Sequence, residues 1–465
     1  MDYEYKVPSL WTTLTDDERE ALFAYGERYK DFLDKGKTER ECAEEIVTRA
    51  KAAGFVDLNA ILEAGTTPQP GTKIVYNHKN KAAVLFIMGK KPLSKGMHII
   101  GSHIDAPRLD LKGHPLYEDG ELALLKTHYY GGIKKYQWTC LPLALHGVVS
   151  LRDGSMVKVR LGDENGDGVL YITDLLPHLG KKLGEKPLSE AITGEALNAI
   201  IGHIPCQDED EKSPIKAQIL RALHDKYGME EADFLTAELE LVPAQNATDV
   251  GLDRSMIAAH GHDDRSCAFA TLDAMLSMDT PEMTAVGLFV DKEEIGSVGN
   301  TSMSARYFEN ILAELFALEG GDSELMVRRA IAASSVLSGD VTAALDPTYP
   351  EVMDKLNTAM LGKGVSVCKF TGARGKSGSN DANAEFLNDL RQAWAKKSIP
   401  WQAGELGRVD EGGGGTIAYI LAERGAEVVD CGVPMLSMHA PIELVSKADV
   451  YFTMKAYKAF FEADF

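Results

Sequence analysis

Five apolar runs in this chain stop abruptly on a histidine or a carboxylate, and that punctuation constrains the fold more than any other feature. "IIGSHIDAP" delivers His103, with Asp105 two residues later, and "GHDDRS" carries Asp263 and Asp264. "LFVDKEEIGS" ends on Glu293 and Glu294, "SGDVT" carries Asp340, and "SMHAP" carries His439. Buried strands rarely stop on charges unless something there binds or uses them. In an open α/β sheet, ligands bind at the carboxyl ends of the strands, so five such ends can converge on one crevice.

The rest of the pattern supports a sheet of that kind. Two amphipathic helices are expected near the start, over Thr15–Leu33 and Thr38–Ala53, the second stopped by Gly54. Short strands follow in "TKIVYN", "AAVLFIMG" and "GMHIIGS". From about Arg108 the texture changes to strand-like runs such as "CLPLALHGVVSL" and "FLTAELELVP", broken by two helical stretches. Helix–strand alternation resumes after Asp253. The expected architecture is a central mixed β-sheet flanked by helices, built from residues 1–107 and 250–465 and interrupted by a β-rich insertion over 108–249.

Composition narrows the partners. At 465 residues, 45% hydrophobic and 26% charged, the chain suits an ordinary soluble enzyme of two domains or one with a large insertion. A formal net charge of -21 argues against nucleic acid and anionic membrane. There is no signal-like opening and no apolar run long enough to span a bilayer. The six cysteines contain no C-x-x-C pair, which points to reduced thiols in a cytoplasmic protein.

Taken singly, each polar cluster has a plain explanation: a loop histidine, a solvated acidic turn, a helix N-terminus. Adjacent glutamates alone leave surface decoration, a ligand with a general base, and an acid/base pair all open. Together, two histidines and three carboxylates suit two divalent metal ions sharing one bridging carboxylate. The extra glutamate then serves as general base, with Asp105 orienting the His103 imidazole. The chemistry expected is hydrolysis of a carbonyl substrate.

The blocks "GSHIDAPRLDLK", "GHDDRSCAF", "DKEEIGSVG", "SGDVTAALDPTYP", "DEGGGGTIAYI" and "LSMHAPIE" resemble, in order, the signatures of the aspartyl aminopeptidase family of dinuclear zinc peptidases. The resemblance runs over nearly the whole chain. It implies that His103, Asp263, Glu294, Asp340 and His439 are metal ligands, with Asp263 bridging. It implies Glu293 as general base, supported by Asp105. It also implies an α/β peptidase domain, an inserted β-rich dimerisation domain, and assembly of homodimers into dodecamers. The metals expected are two zinc ions, with cobalt or manganese also suited to a His/carboxylate site.

The substrate side of the pattern departs from the family. Ala343 and Asp346 stand where histidines are usual, and "KFTGARGKSGSND" keeps only Lys369 of the block K-x-N-x-x-Q-R-Y. His178, in "ITDLLPHLG", corresponds to a family histidine that reaches a neighbouring subunit's site. Lys369, Arg374 and Lys376 could rebuild an anion pocket. The expected activity is therefore removal of N-terminal residues from small peptides, acidic ones included but without strict preference. A related dinuclear deacylase or amidohydrolase, and a non-enzymatic assembly module, are the alternatives.

Several look-alikes are set aside. "DENGDGVLYITD" has much of a calcium-loop spacing, yet lies between strand-like runs and is expected to be a hairpin turn. "GARGKSGS" has Phe370 where a phosphate-binding loop needs its first glycine. "DEGGGGT" reads as active-site wall. His260 and His262 are expected as loop residues near the rim, and the aromatic tail as a packing helix.

Overall fold

The computed structural model describes residues 6–163, 166–208, 210–321, 324–372 and 376–465. Contacts divide the chain into two compact units, Met1–Asp105 with Ala247–Met438 and Glu443–Phe465, and Ala106–Asn246 with His439–Ile442.

In the first unit, the described residues form a nine-stranded mixed sheet. Its middle consists of Thr284–Val290, Met97–His103, Ser335–Ser338 and Glu427–Gly432, each parallel to the next. The strands Thr284–Val290 and Met97–His103 are buried along their whole length. Such strands need apolar cover on both faces, and alternate residues supply it. Ile100, Phe289, Leu337 and Val429 enter one core, while Ile99, Leu288, Val336 and Val428 enter the other. The first core is closed by the helices Asp16–Lys35, Glu39–Ala52, His262–Leu276 and Lys447–Phe461, the second by Tyr307–Leu318 and Glu324–Ala332.

The two opening helices are set by their caps. The Thr15 side chain accepts from the amide of Glu18, and Thr38 accepts from Glu41, each with the glutamate reaching back to the cap's own amide. Each box contributes about 1 kcal/mol. The aromatic tail is the packing helix expected, with Tyr457, Phe460 and Phe461 fully buried.

A second sheet of this unit has five strands among the described residues, including Met256–Ala259, Glu443–Ser446 and Pro434–Leu436. The stretches before Asp263 and His439 therefore do not end in the nine-stranded sheet, so the expectation of five ends on one open sheet holds for three of them. His262 and His260 are also not rim residues: they are 0% and 6% exposed. His262 Nδ1 lies 2.7 Å from the Tyr29 hydroxyl, and its Nε2 lies 3.0 Å from the Ile257 carbonyl. Burial pushes its pKa down to about 3, so it is a neutral core residue.

The second unit is β-rich. Its described residues form a seven-stranded sheet that curls until Ala237–Pro243 pairs with both Arg108–Asp119 and Pro142–Ser150, which closes a ring of strands around an apolar core that includes Leu125, Trp138 and Leu241. The calcium-like stretch is not a hairpin turn. The strand before it, Met156–Leu161, and the strand Leu170–Tyr171 within it both pair with Pro142–Ser150 and, among the described residues, not with each other; Glu164 and Asn165 lie outside the described residues. Two acids of the stretch carry ion pairs, Asp163 with Arg160 and Asp167 with Lys226.

Candidate metal centre

The strand Met97–His103 lies between Thr284–Val290 and Ser335–Ser338, in parallel with both. His103 ends the first strand, Glu293 and Glu294 follow the second by a few residues, and Asp340 follows the third. Parallel neighbours finish at the same edge, so sheet topology alone gathers these four side chains.

The fifth contributor arrives from a helix. Gly261, at φ +73°, turns the chain into His262–Leu276, and a Cβ there would lie 2.2 Å from Arg265 Nη1. Asp263 and Asp264 form the entrance to that helix with non-helical backbone angles. The Asp263 amide donates to Glu443 Oε2 at 3.0 Å, and Arg265 Nε donates to the Ile104 carbonyl at 3.0 Å. The entrance is thereby fastened beside the end of the His103 strand.

His103 is 2% exposed. Its Nδ1 stands 3.1 Å from the Asp105 carbonyl and 3.4 Å from the Asp105 carboxylate, so Nδ1 carries the proton and donates it there. Nε2 then faces Asp263 Oδ1 at 3.0 Å and Glu293 Oε2 at 4.0 Å. A histidine whose far nitrogen is tied to carbonyl and carboxylate is oriented for metal ligation. Burial alone would lower its pKa, but Asp105 and Asp263 outweigh that and hold it well above the ordinary value.

The donor atoms lie close enough to share ions. His103, Glu293 and Glu294 form one set within 4.8 Å, and His103, Asp264 and Asp340 form another. Desolvation, with repulsion from neighbouring carboxylates, raises the pKa values of both Asp264 and Asp340 well above the ordinary range. One imidazole amid several carboxylates is a hard-to-borderline donor set that suits divalent cations of the zinc type. On its donor chemistry the site fits such metals.

The two glutamates are presented by a turn. Strand alternation does not reach them, because Glu293–Ile295 is a 3₁₀ turn after the strand has ended. The turn is held by Asp105, whose two carboxylate oxygens accept from the Glu293 amide at 3.1 Å and the Glu294 amide at 3.2 Å. Asp105 thus orients the imidazole and fixes the glutamate turn.

Two participants went unassigned in the sequence. Asp264 accepts from the His103 amide at 3.2 Å, and Glu443 holds the Asp263 amide. The acidic pair was visible as sequence; the partner of Glu443 was not, since 180 positions separate them.

Of the remaining predicted residues, His439 begins the short segment that groups with the second unit. Its backbone is left-handed at φ +63°, and its Nδ1 stands 2.9 Å from the Gly132 carbonyl. His178 is exposed on the second unit. Lys369 pairs with Asp381 and lies 4.1 Å from the centroid of the Phe370 ring. Arg374 lies outside the described residues.

Comparison with known proteins decides the affiliation. Residues 32–461 match the family described as aminopeptidase I zinc metalloprotease (M18). The chain belongs to the M18 aminopeptidases. It is 50% identical over 457 residues to a probable M18 family aminopeptidase 1 of Clostridium acetobutylicum, covering 98% of each chain. A crystal structure of an M18 aminopeptidase from Thermotoga maritima superposes with a TM-score of 0.94 at 41% identity, over 99% of this chain and 100% of that one. Aminopeptidase I from C. acetobutylicum follows at 0.92 and 47%, over 98% and 99%. This M18 protein is a zinc metalloaminopeptidase, a hydrolase of peptide bonds with the α/β class expected. No described helix is long and apolar enough to cross a membrane.

Proposed function

We propose that this M18 aminopeptidase removes N-terminal residues from small peptides using two divalent metal ions, with Glu293 as general base. The observation that carries the reading is the double role of Asp105, which binds His103 Nδ1 while accepting from the amides of both glutamates. One carboxylate therefore sets an imidazole ligand and the acid/base residue in a single frame.

His103, Asp263, Glu294, Asp340 and His439 would hold the metals, with Asp263 as the ligand shared by both. The Asp263 carboxylate lies 3.0 Å from His103 Nε2, which supports a ligand role for both. His439 Nδ1 is tied to a backbone carbonyl, the arrangement that turns Nε2 of a histidine toward a metal. Bound metals would supply Lewis-acid polarisation of the scissile carbonyl and acidify the attacking water.

The residues of the chain do the rest. Glu293, at 4.0 Å from His103 Nε2 and fixed by its amide, takes the proton from the attacking water. It then returns that proton to the departing amine. Zinc is the family metal, and cobalt or manganese would occupy the same donors.

On the substrate side, Lys369 is engaged by Asp381, so an acidic P1 side chain would have to displace an internal partner. We therefore propose an aminopeptidase that accepts neutral N-terminal residues at least as well as acidic ones. The β-rich unit serves as dimerisation domain, and His178 completes a neighbouring subunit's substrate site. Assembly beyond the dimer, to a dodecamer, is supported by the fold shared with the mature Saccharomyces cerevisiae aminopeptidase 1 dodecamer, at 20% identity and a TM-score of 0.75. A cytoplasmic location suits the six thiols.

The test is a panel of N-terminal aminoacyl peptides, free and N-acetylated, assayed with zinc, cobalt and manganese. Turnover of free peptides alone, with leucine or methionine at or above aspartate, is expected. Equal turnover of acetylated peptides would turn the reading toward a deacylase. No turnover with any metal would leave the assembly-module reading.

A further inference from the structure

The residues that carry the glutamate turn include a lysine that points inward. The strand Thr284–Val290 hands the chain to Asp291, which is 1% exposed. A carboxylate that deep needs a compensating charge, and Glu39 and Asp105 add repulsion. The compensation comes from its own neighbour. Lys292 adopts a left-handed backbone at φ +66°, which directs its side chain back across the turn.

Its ammonium donates to Asp291 Oδ2 at 2.7 Å and to Thr301 Oγ1 at 2.5 Å. The Thr301 hydroxyl in turn donates to Asp291 Oδ2 at 2.6 Å, closing a ring of three groups. The backbone closes the same span, since the Asp291 amide donates to the Thr301 carbonyl at 3.2 Å. The aliphatic stem of Lys292 crosses Gly299, where an added Cβ would lie 3.1 Å from Lys292 Cδ in a backbone of φ +92°. Glycine is what lets the lysine pass.

The Lys292 carbonyl accepts from the Ser297 amide at 2.8 Å, and the Glu293 carbonyl accepts from the Gly296 amide at 2.7 Å. The Ser302 hydroxyl ties down the carbonyls of Ser297 and Gly299. His78, stacked on Tyr307 with centroids 4.2 Å apart, places Nε2 2.9 Å from the Asn300 carbonyl. The span Asp291–Thr301 is thus fastened at its far end by side chains outside the metal site, and at its near end by Asp105.

We propose that Lys292 is a positioning residue: its ammonium, bridging Asp291 and Thr301, clamps the turn that presents Glu293 and Glu294 to the metal centre. This rests on the roles proposed for those two glutamates. The clamp touches neither substrate nor metal, and acts by holding the Glu293 and Glu294 amides against Asp105. Supporting residues of this kind are worth about 10- to 100-fold in activity or metal affinity.

The variants Lys292→Met, Lys292→Arg and Thr301→Val test it. Hydrogen exchange at residues 291–301 in the metal-stripped protein, zinc affinity by chelator competition, and kcat and KM are the measurements. Lys292→Met should speed exchange at the Glu293 and Glu294 amides at least about 10-fold while the strand Met97–His103 stays protected. It should weaken zinc binding and lower kcat by about 10- to 100-fold, with KM within about 3-fold. Lys292→Arg should recover most of each loss, and Thr301→Val should fall between. Unchanged exchange in the turn of Lys292→Met would overturn the proposal. So would a raised KM with kcat preserved, which would make Lys292 a substrate contact. If Lys292→Met does not fold, Thr301→Val decides on the same readouts. An active Glu293→Gln enzyme would remove the general-base assignment, while exchange and zinc affinity would still judge the clamp.

Discussion

The Glu293 turn and the Lys369 loop both follow strands of the same sheet, yet they are built on different terms. In the turn, the polar backbone groups are spoken for by Asp105, Ser302 and the Asp291–Thr301 closure. In the loop, the charged group of interest is paired in the open: Lys369 and Asp381 have side chains 41% and 69% exposed. An exposed pair of that kind is worth about 0–1 kcal/mol, whereas removing one partner from a buried charged pair costs about 3–5 kcal/mol. On the proposed roles, chemistry is anchored to the strands, and the choice of substrate falls to a loop that can change without disturbing them. The family pattern in this chain is kept in the first region and altered in the second.

The largest effect should come from the turn. Glu293→Gln removes the proposed base and leaves the other donors in place, so kcat should fall about 10²- to 10⁴-fold while zinc per chain, measured by mass spectrometry, is retained. Turnover within about 3-fold of the parent would remove Glu293 from that role. Next comes Asp105→Asn. The amide nitrogen cannot accept, so one of the two turn amides loses its partner and the His103 proton loses its carboxylate. Activity and zinc affinity should both drop about 10- to 100-fold. A normal zinc affinity would mean that Asp105 orients neither group.

Much of this was legible in the chain. Apolar runs ending on His103, Glu293 and Asp340 announced parallel strands with a site at their carboxyl ends, because burial on both faces leaves only the strand end for charge. The class of fold followed from the same alternation. Other parts were hidden by contacts distant in sequence or by geometry that periodicity does not encode. Asp263 enters from a helix, and its support from Glu443 spans 180 positions. The glutamates are presented by a 3₁₀ turn, where residue alternation does not apply. The calcium-like stretch looked like a hairpin, since pattern reveals strands but not their partners. His262 looked like a rim residue because the motif beside it is polar, whereas Tyr29 and Ile257 enclose it.

The His103 strand carries its own control for the role of environment. His98, near its other end, is 1% exposed, stacked on Phe460 at 4.8 Å and in tilted contact with Phe465 at 4.9 Å. Burial pushes its pKa down to about 4, opposite in direction to His103. The unfolded chain then binds the proton more readily than the folded one. The stability that His98 contributes is full above its ordinary value of about 6.5 and is lost as pH falls toward 4. His98→Leu should flatten the unfolding free energy between those limits by up to roughly 1.4 kcal/mol per pH unit, on the order of 2–3 kcal/mol across the window. Denaturant titrations from pH 7 to pH 4 measure this, and parallel curves for parent and variant would show that His98 does not titrate on unfolding.

The smallest effect should come from the loop, and it is the one that bears most on the comparison. If the Lys369 ammonium stays with Asp381 when substrate is bound, Lys369→Met costs only an exposed ion pair and a contact with the Phe370 ring. The ratio of kcat/KM for peptides beginning with aspartate to those beginning with leucine should then change by less than about 3-fold. A drop of about 10-fold or more confined to the aspartyl peptides would mean that Lys369 leaves Asp381 for the substrate carboxylate. Asp381→Asn separates the two cases further, because it releases the lysine from its carboxylate partner. An altered pocket with a committed lysine predicts that this variant gains activity on aspartyl peptides, since the positive charge becomes available to them. A lysine already serving the substrate predicts no gain.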